Sequence, residues 1–233
     1  MSENALVLLS ILMMISVLGI ITIVIIYRKI QDDKLLSAVT NKNRGTGTER
    51  NLVLKMLKSN FDSRVVFHDL YIKRQYKGYA QIDMVVPTKV GILVFEVKNY
   101  GGWIFGNCNN YYWTQIMGYG KYKYRFYNPI KQNEGHIMAL RSQLQDIGDV
   151  PYYSIIVFYG RCVLKAVSNV PGDVRVCYAG SVKTVINNLL AYNPPANYID
   201  KRKVVNVLKD GVKNGADPLI QREHMQFIYE RYY

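Results

Sequence analysis

Hydrophobic and polar positions divide the chain into one unbroken apolar run and a longer remainder of short periodic segments. Across residues 5–27 no side chain is charged and very few are polar. About 20 apolar residues in a helix cross the hydrocarbon core of a bilayer, so the run predicts a transmembrane anchor over 1–30. A cleaved secretory signal is the rival reading. It calls for a basic start, a shorter apolar stretch and a small-residue cleavage site, whereas Glu3 is the only charge ahead of this run, which continues to Arg28.

A polar connector at 31–44 follows, and then the period changes. Thr48 is placed to cap a helix reaching about Ser59, with Leu52, Val53, Met56 and Leu57 as its apolar stripe. Residues 64–72 predict a strand. Two β-rich runs, 80–86 and 92–98, are joined by five residues from Pro87 to Gly91, which is hairpin spacing. Strand pieces at 103–106 and 111–115 flank an Asn-rich turn. Asn128 and Pro129 then supply an N-cap and a favoured first helical residue, opening a helix towards Asp146. Residues 153–159 and 174–178 predict buried strands, and 181–190 and 199–212 predict helices. That order specifies an α/β fold, a mixed β-sheet flanked by helices over 45–160, with a C-terminal α/β extension at 161–233 packed on it.

Charge sharpens this picture. All 30 Lys and Arg lie after the apolar run, and of the 17 Asp and Glu only Glu3 precedes it. The remainder is therefore more positive, by one charge, than the +13 of the whole chain. It should attract polyanions, and two compete: nucleic acid, and the anionic lipid of an inner leaflet near Arg28, Lys29 and Lys34. Those three basic residues just past the run predict a single-pass protein with its N-terminus outside and its larger part cytoplasmic. Cys108, Cys162 and Cys177 are an odd set without metal-binding spacing, which predicts reduced, buried thiols.

Candidate chemistry centres on the hairpin. Asp83 stands inside a β-rich run, where Asp is unfavourable, and Glu96 and Lys98 are two apart, so strand alternation turns both to one face. A hairpin closed by an even-numbered loop at Lys89 and Val90 sets Asp83 opposite Glu96 and Gln81 opposite Lys98. Opposed Cβ atoms lie roughly 4.5–5.5 Å apart, close enough for two carboxylates to share one Mg²⁺ at a ligand distance of about 2.0–2.1 Å. Lys98 beside that ion could orient water or stabilise a pentavalent phosphate. The plain alternative is a cross-strand Glu–Lys salt bridge with a solvated Asp83. Glu49, on the core-facing stripe of the first helix, adds a carboxylate at the rim or simply favours the helix dipole.

These residues resemble the nuclease-related domain, NERD, of the PD-(D/E)xK nuclease superfamily. Gly45-Thr46-Gly47-Thr48-Glu49 is similar to its opening element and His68-Asp69-Leu70 to the strand that follows. Gln81-Ile82-Asp83 and the run from Gly91 to Tyr100 resemble its two central motifs, and Gly102, Gly106, Trp113, Asn128-Pro129, Gln132 and His136 its later elements. The resemblance covers roughly 45–144 and fades after Tyr153. It implies a restriction-endonuclease-like core that cleaves nucleic acid with Mg²⁺, for which Mn²⁺ can substitute. Asp83, Glu96 and Val97 would sit at the metal, Lys98 would be the catalytic lysine, and Glu49 and Gln132 would be accessory catalytic residues.

Other features carry two readings each. Gln132 and His136 share a helix face and could lean towards the site, or His136 could be an ordinary hydrogen-bonded histidine. His68 and His224 have no partners at ligand spacing. Over 119–126 Lys121, Lys123 and Arg125 alternate with aromatics, which suits phosphate contact or a half-buried strand with a solvated basic face. Trp103 and Trp113 are expected in the core. The expected function is a membrane-anchored nuclease, DNA favoured over RNA, of bacterial origin. The alternatives are an inactive module that holds nucleic acid or a protein at the membrane, and lipid contact alone.

Overall fold

The computed structural model describes residues 3–232, which divide into two units between Ala38 and Val39. The first is one helix, α1 (Glu3–Ser37), apolar along 6–26 and exposed on all sides there, as suits a helix surrounded by lipid. The hydroxyls of Ser10, Ser16 and Thr22 donate back to the carbonyls of Val7, Met13 and Leu18. The polar groups of the run are thereby satisfied within the helix, the condition that hydrocarbon imposes. The helix is long and apolar enough to cross a membrane, and it carries Arg28, Lys29 and Lys34 in its last turns.

In the second unit α2 (Gly47–Lys58) is followed by β1 (Phe67–Lys73), β2 (Tyr79–Thr88), β3 (Gly91–Asn99), β4 (Gly102–Asn107), β5 (Tyr112–Met117) and β6 (Tyr122–Tyr127). Then come α3 (Pro129–Gln143), β7 (Tyr152–Tyr159), β8 (Cys162–Ser168), β9 (Val174–Tyr178), α4 (Val182–Tyr192), α5 (Lys201–Asn214) and α6 (Pro218–Tyr232). Thr46, not Thr48, caps α2: its hydroxyl accepts from the Glu49 amide at 3.3 Å, and Thr48 falls inside the first turn. Neither β8 nor α6 was among the predicted elements. The outward side chains of β8 are mostly exposed, and α6 mixes Gln, Arg, Glu and His with its apolar residues without a clear stripe.

The elements make a mixed α/β fold with two mixed sheets. Sheet one has the order β1-β2-β3-β7-β9, with antiparallel pairs from β1 to β3 and parallel pairs from β3 to β9. Sheet two has the order β6-β5-β4-β8 and is supplied largely by the crossover between β3 and β7. The hairpin closes as its even loop requires, pairing Thr88 with Gly91 and Met84 with Phe95.

One core lies between sheet one and the helices α3 and α5, where Ile137, Leu140, Val204 and Leu208 meet Ile72, Ile82 and Val94. Burying each such side chain contributes about 1.5–3 kcal/mol. A second core lies between the sheets, where the Trp113 and Phe158 rings stack with centroids 6.2 Å apart. Trp113 is 1% exposed, but Trp103 is 37% exposed and so is not a core residue. Neighbouring Ile104 takes the inner face of β4, and alternation sends Trp103 to the outer one. Asn133 ties α3 to sheet one by donating to the Val94 carbonyl and the Ser154 hydroxyl, both at 2.9 Å. The cysteines are free thiols, Cys162 and Cys177 buried and Cys108 only half-buried.

Candidate active site

The hairpin brings Asp83 and Glu96 together where its ladder stops. Pairing between β2 and β3 ends at Met84 and Phe95. One step further, the Val97 amide donates to Asp83 Oδ2 at 2.6 Å. On the other side of β2, Asp69 has a φ of +55°, and the ladder with β1 skips from Met84 to Ile82. Asp83 thus stands at a local opening in the sheet, with a neighbour interrupted on each side.

Glu96 is 2% exposed. Its Oε1 pairs with Lys98 Nζ at 2.6 Å, whereas its Oε2 is buried without a hydrogen-bond partner, a costly state for a charged atom. Lys98 Nζ also donates to Gln132 Oε1 at 2.9 Å. His136, one helical turn after Gln132 on α3, brings Nδ1 to 3.5 Å from Glu96 Oε2, and that nitrogen has no hydrogen-bond partner either. The expected shared face of Gln132 and His136 therefore does meet the carboxylate pair, and His136 is not an ordinary hydrogen-bonded histidine.

Glu49 approaches from α2. Its Oε1 accepts from the Thr46 hydroxyl at 2.6 Å, and its Oε2 faces His68 Nε2 at 3.6 Å. His68 Nδ1 contacts Thr40 Oγ1 at 2.8 Å. His68 thus gains partners that linear spacing concealed. Gly45 lies over both groups with a φ of +55°, and a Cβ there would come within 2.4 Å of Glu49 Oε2, so glycine is required.

The fields of these groups act on one another. Burial first, then the charges of Glu96 and Glu49, push the Asp83 carboxyl well above the usual range. Burial also raises Glu96, against the opposing pull of Lys98. Burial disfavours the Lys98 charge, but the adjoining carboxylates outweigh it and hold its ammonium above the ordinary lysine value. Burial pushes Glu49 up, yet His68 and Thr46 hold it below its ordinary value. His136 is driven down to about 3, by burial and then by the nearby positive charges of Arg74 and Lys98, so it is neutral.

A cavity of about 300 Å³ opens beside Asp83. Gln132 and His136 line it together with Arg74, Tyr127, Lys131 and His224, of which only the first two carried a functional reading in the sequence. His224 comes from α6, docked by a 2.9 Å contact to the Tyr79 carbonyl. Lys123 and Arg125 are exposed on β6, and neither lines this cavity. Lys121 lies outside the expected strand, because Gly118–Gly120 forms a tight turn with Tyr119 at a φ of +55° and β6 begins only at Tyr122. Among the described residues no three of His, Cys, Asp and Glu converge as a metal cluster.

Residues 44–159 match the family model of the nuclease-related domain. The chain belongs to that family, whose wider context is the PD-(D/E)xK superfamily. It is also similar to an uncharacterized protein of Bacillus anthracis, with 28% identity over 211 residues that cover 84% of this chain and 91% of the relative. No solved structure matches it. The function of the chain is thus nuclease-related, and the matched segment contains Glu49, Asp83, Glu96, Lys98 and Gln132.

Proposed function

We propose that the chain is a membrane-anchored, metal-dependent nuclease that hydrolyses phosphodiester bonds of nucleic acid, with DNA favoured. One observation carries this reading: two acidic side chains, Asp83 and Glu96, stand just past the last ladder pair of their hairpin, where the field of Glu96 acts on Asp83 and Lys98 lies 2.6 Å from Glu96.

The donor set fits a divalent cation. Glu96 Oε2 is buried and unpartnered, and burial, which raises both carboxyls, is a cost to their charge that a bound cation would offset. Mg²⁺ is commonly held by one or two carboxylates, completed by water and substrate phosphate, so two carboxylates and the Val97 main chain suffice without a third acidic ligand. When bound, such an ion polarises the phosphate and lowers the pKa of a bound water. Lys98 would hold its positive charge at neutral pH beside the reacting phosphate and stabilise the charge that builds there. Gln132 would fix the Lys98 ammonium, and neutral His136 and Glu49 would shape the field at the rim.

The apolar helix α1 supports membrane attachment, and the basic residues Arg28, Lys29 and Lys34 support a cytoplasmic second unit beside anionic lipid. A binding module without hydrolysis is the second reading, favoured by the closed Lys98–Glu96 pair. The deciding assay incubates the full chain in nonionic detergent with plasmid and with single strands, in Mg²⁺, Mn²⁺ or EDTA. Metal-dependent cleavage, lost in Asp83→Ala and Lys98→Ala, supports the nuclease. Salt-sensitive binding without cleavage in any metal would leave the binding module.

A further inference from the structure

Sheet two has an outer face whose side chains are all exposed or half-buried. Its cross-strand rows put Trp103, Ile116 and Lys123 on that side, then Phe105, Thr114 and Arg125, then Tyr112 and Tyr127. On β8 Val163 extends the first row, and Lys165 stands at the register shift between the first row and the second. Trp103, Tyr112, Lys123, Arg125 and Lys165 are exposed, although aromatic side chains ordinarily bury their large apolar area. Cations and rings interleave: Arg125 lies 4.9 Å from the Tyr112 centroid and Lys165 5.2 Å from that of Trp103. No Asp or Glu occurs between Glu96 and Glu134, nor in β8, so this face has no acidic side chain of its own to answer its positive charge.

The face leads somewhere. Tyr127, in its last row, also lines the cavity at Asp83 with Lys131 and Gln132. We propose that the outer face of sheet two is a track for single-stranded nucleic acid, which passes an unpaired strand by Tyr127 to the cavity at Asp83. The direction of travel rests on the hydrolytic reading above; the track itself does not. Positive charge alone would serve duplex and single strand equally, but exposed rings gain only from bases whose faces are free. Each stacked base contributes about 1–3 kcal/mol in such sites. A lipid surface would also accept aromatic and basic side chains, but it would have no use for a row that runs into a cavity lined by Asp83, Gln132 and His136.

The test uses the full chain in phosphatidylcholine nanodiscs with EDTA present, so that no cleavage intervenes. Binding of fluorescein-labelled oligo-dT and of the matching duplex is followed by anisotropy, and tryptophan emission is recorded alongside. Oligo-dT should bind more tightly than duplex and quench Trp103, since Trp113 is enclosed. Trp103→Ala and Arg125→Ala should each weaken oligo-dT binding about tenfold, whereas Lys209→Ala, an exposed cation on α5 outside sheet two, should leave it unchanged. Should Trp103→Ala fail to fold, Arg125→Ala and Lys165→Ala decide. Oligo-dT binding that is indifferent to the exposed-face variants, or no tighter than duplex, overturns the track. So does a switch to phosphatidylserine discs that shifts Trp103 emission to the blue and abolishes oligo-dT binding, because the face would then belong to lipid. Tight binding in EDTA with no cleavage in Mg²⁺ would remove the nuclease reading and leave the track standing.

Discussion

The Val97 amide donates to the Asp83 carboxylate at 2.6 Å, one step past the last ladder pair between β2 and β3. A side chain here takes over a main-chain partner's role, and the strands part as a result. That exchange both anchors Asp83 and frees the space in which Glu96, Lys98 and a cation could meet. It also explains how an Asp is tolerated in a strand: its carboxyl oxygen replaces a carbonyl that the ladder would have supplied.

Gln132 accepts from Lys98 and touches no reacting atom, so it acts by positioning. Gln132→Ala should lower kcat about tenfold, equivalent to about 1.4 kcal/mol of barrier, with KM within about twofold. Steady-state cleavage of a labelled oligonucleotide measures both, and a lowered melting temperature with unchanged kcat would assign Gln132 to structure alone.

Asp83 and Glu96 are raised in the folded state. As pH climbs past the ordinary carboxylate range, the folded chain retains protons that the unfolded chain has lost, and stability falls. A divalent ion that binds the ionised pair reverses this, giving about 1.4 kcal/mol at tenfold excess over Kd. The melting temperature in EDTA should therefore drop as pH rises from about 5 to about 8. Mg²⁺ should restore it more at the upper end of that range than at the lower, and not at all in Asp83→Asn.

His136 has the opposite sign. Its folded value of about 3 lies below the unfolded value of about 6.5, so between the two the unfolded chain binds the extra proton. Stability should fall as pH drops from 6.5 towards 3, by at most about 1.4 kcal/mol per pH unit from this group. Urea titrations at pH 7 and pH 4.5 should show a smaller loss in His136→Gln than in the parent.

Gly45 and Asn133 are predicted to be structural. Gly45→Ala forces a Cβ against Glu49 and His68 at a φ of +55° and should cost about 1–3 kcal/mol. Asn133→Ala leaves the Val94 carbonyl and Ser154 hydroxyl without its amide, at a similar cost of about 1–3 kcal/mol. Chemical denaturation reads both.

The hairpin, its register and the helix opened by Asn128 were legible in the sequence because each rests on local rules: loop parity, strand alternation and capping. The α/β class and the apolar helix were legible for the same reason. What escaped depends on distant chain segments meeting. His68 finds Glu49 through the packing of α2 on β1, and His224 reaches the cavity only because α6 docks against β2. Trp103 was assigned to the core on residue type, and exposure is decided by which face a neighbouring layer covers. The shift of the α2 cap from Thr48 to Thr46 reflects two capping residues, two positions apart, that local chemistry does not separate.

Asp83 and Glu96 are proposed to hold one divalent ion between them. Anomalous diffraction from crystals soaked in Mn²⁺ tests this most directly. A single peak within ligand distance of both carboxylates, absent in Asp83→Asn, is the result predicted here. An empty map at that position in Mn²⁺-saturated crystals, with Lys98 still closed on Glu96, would contradict it.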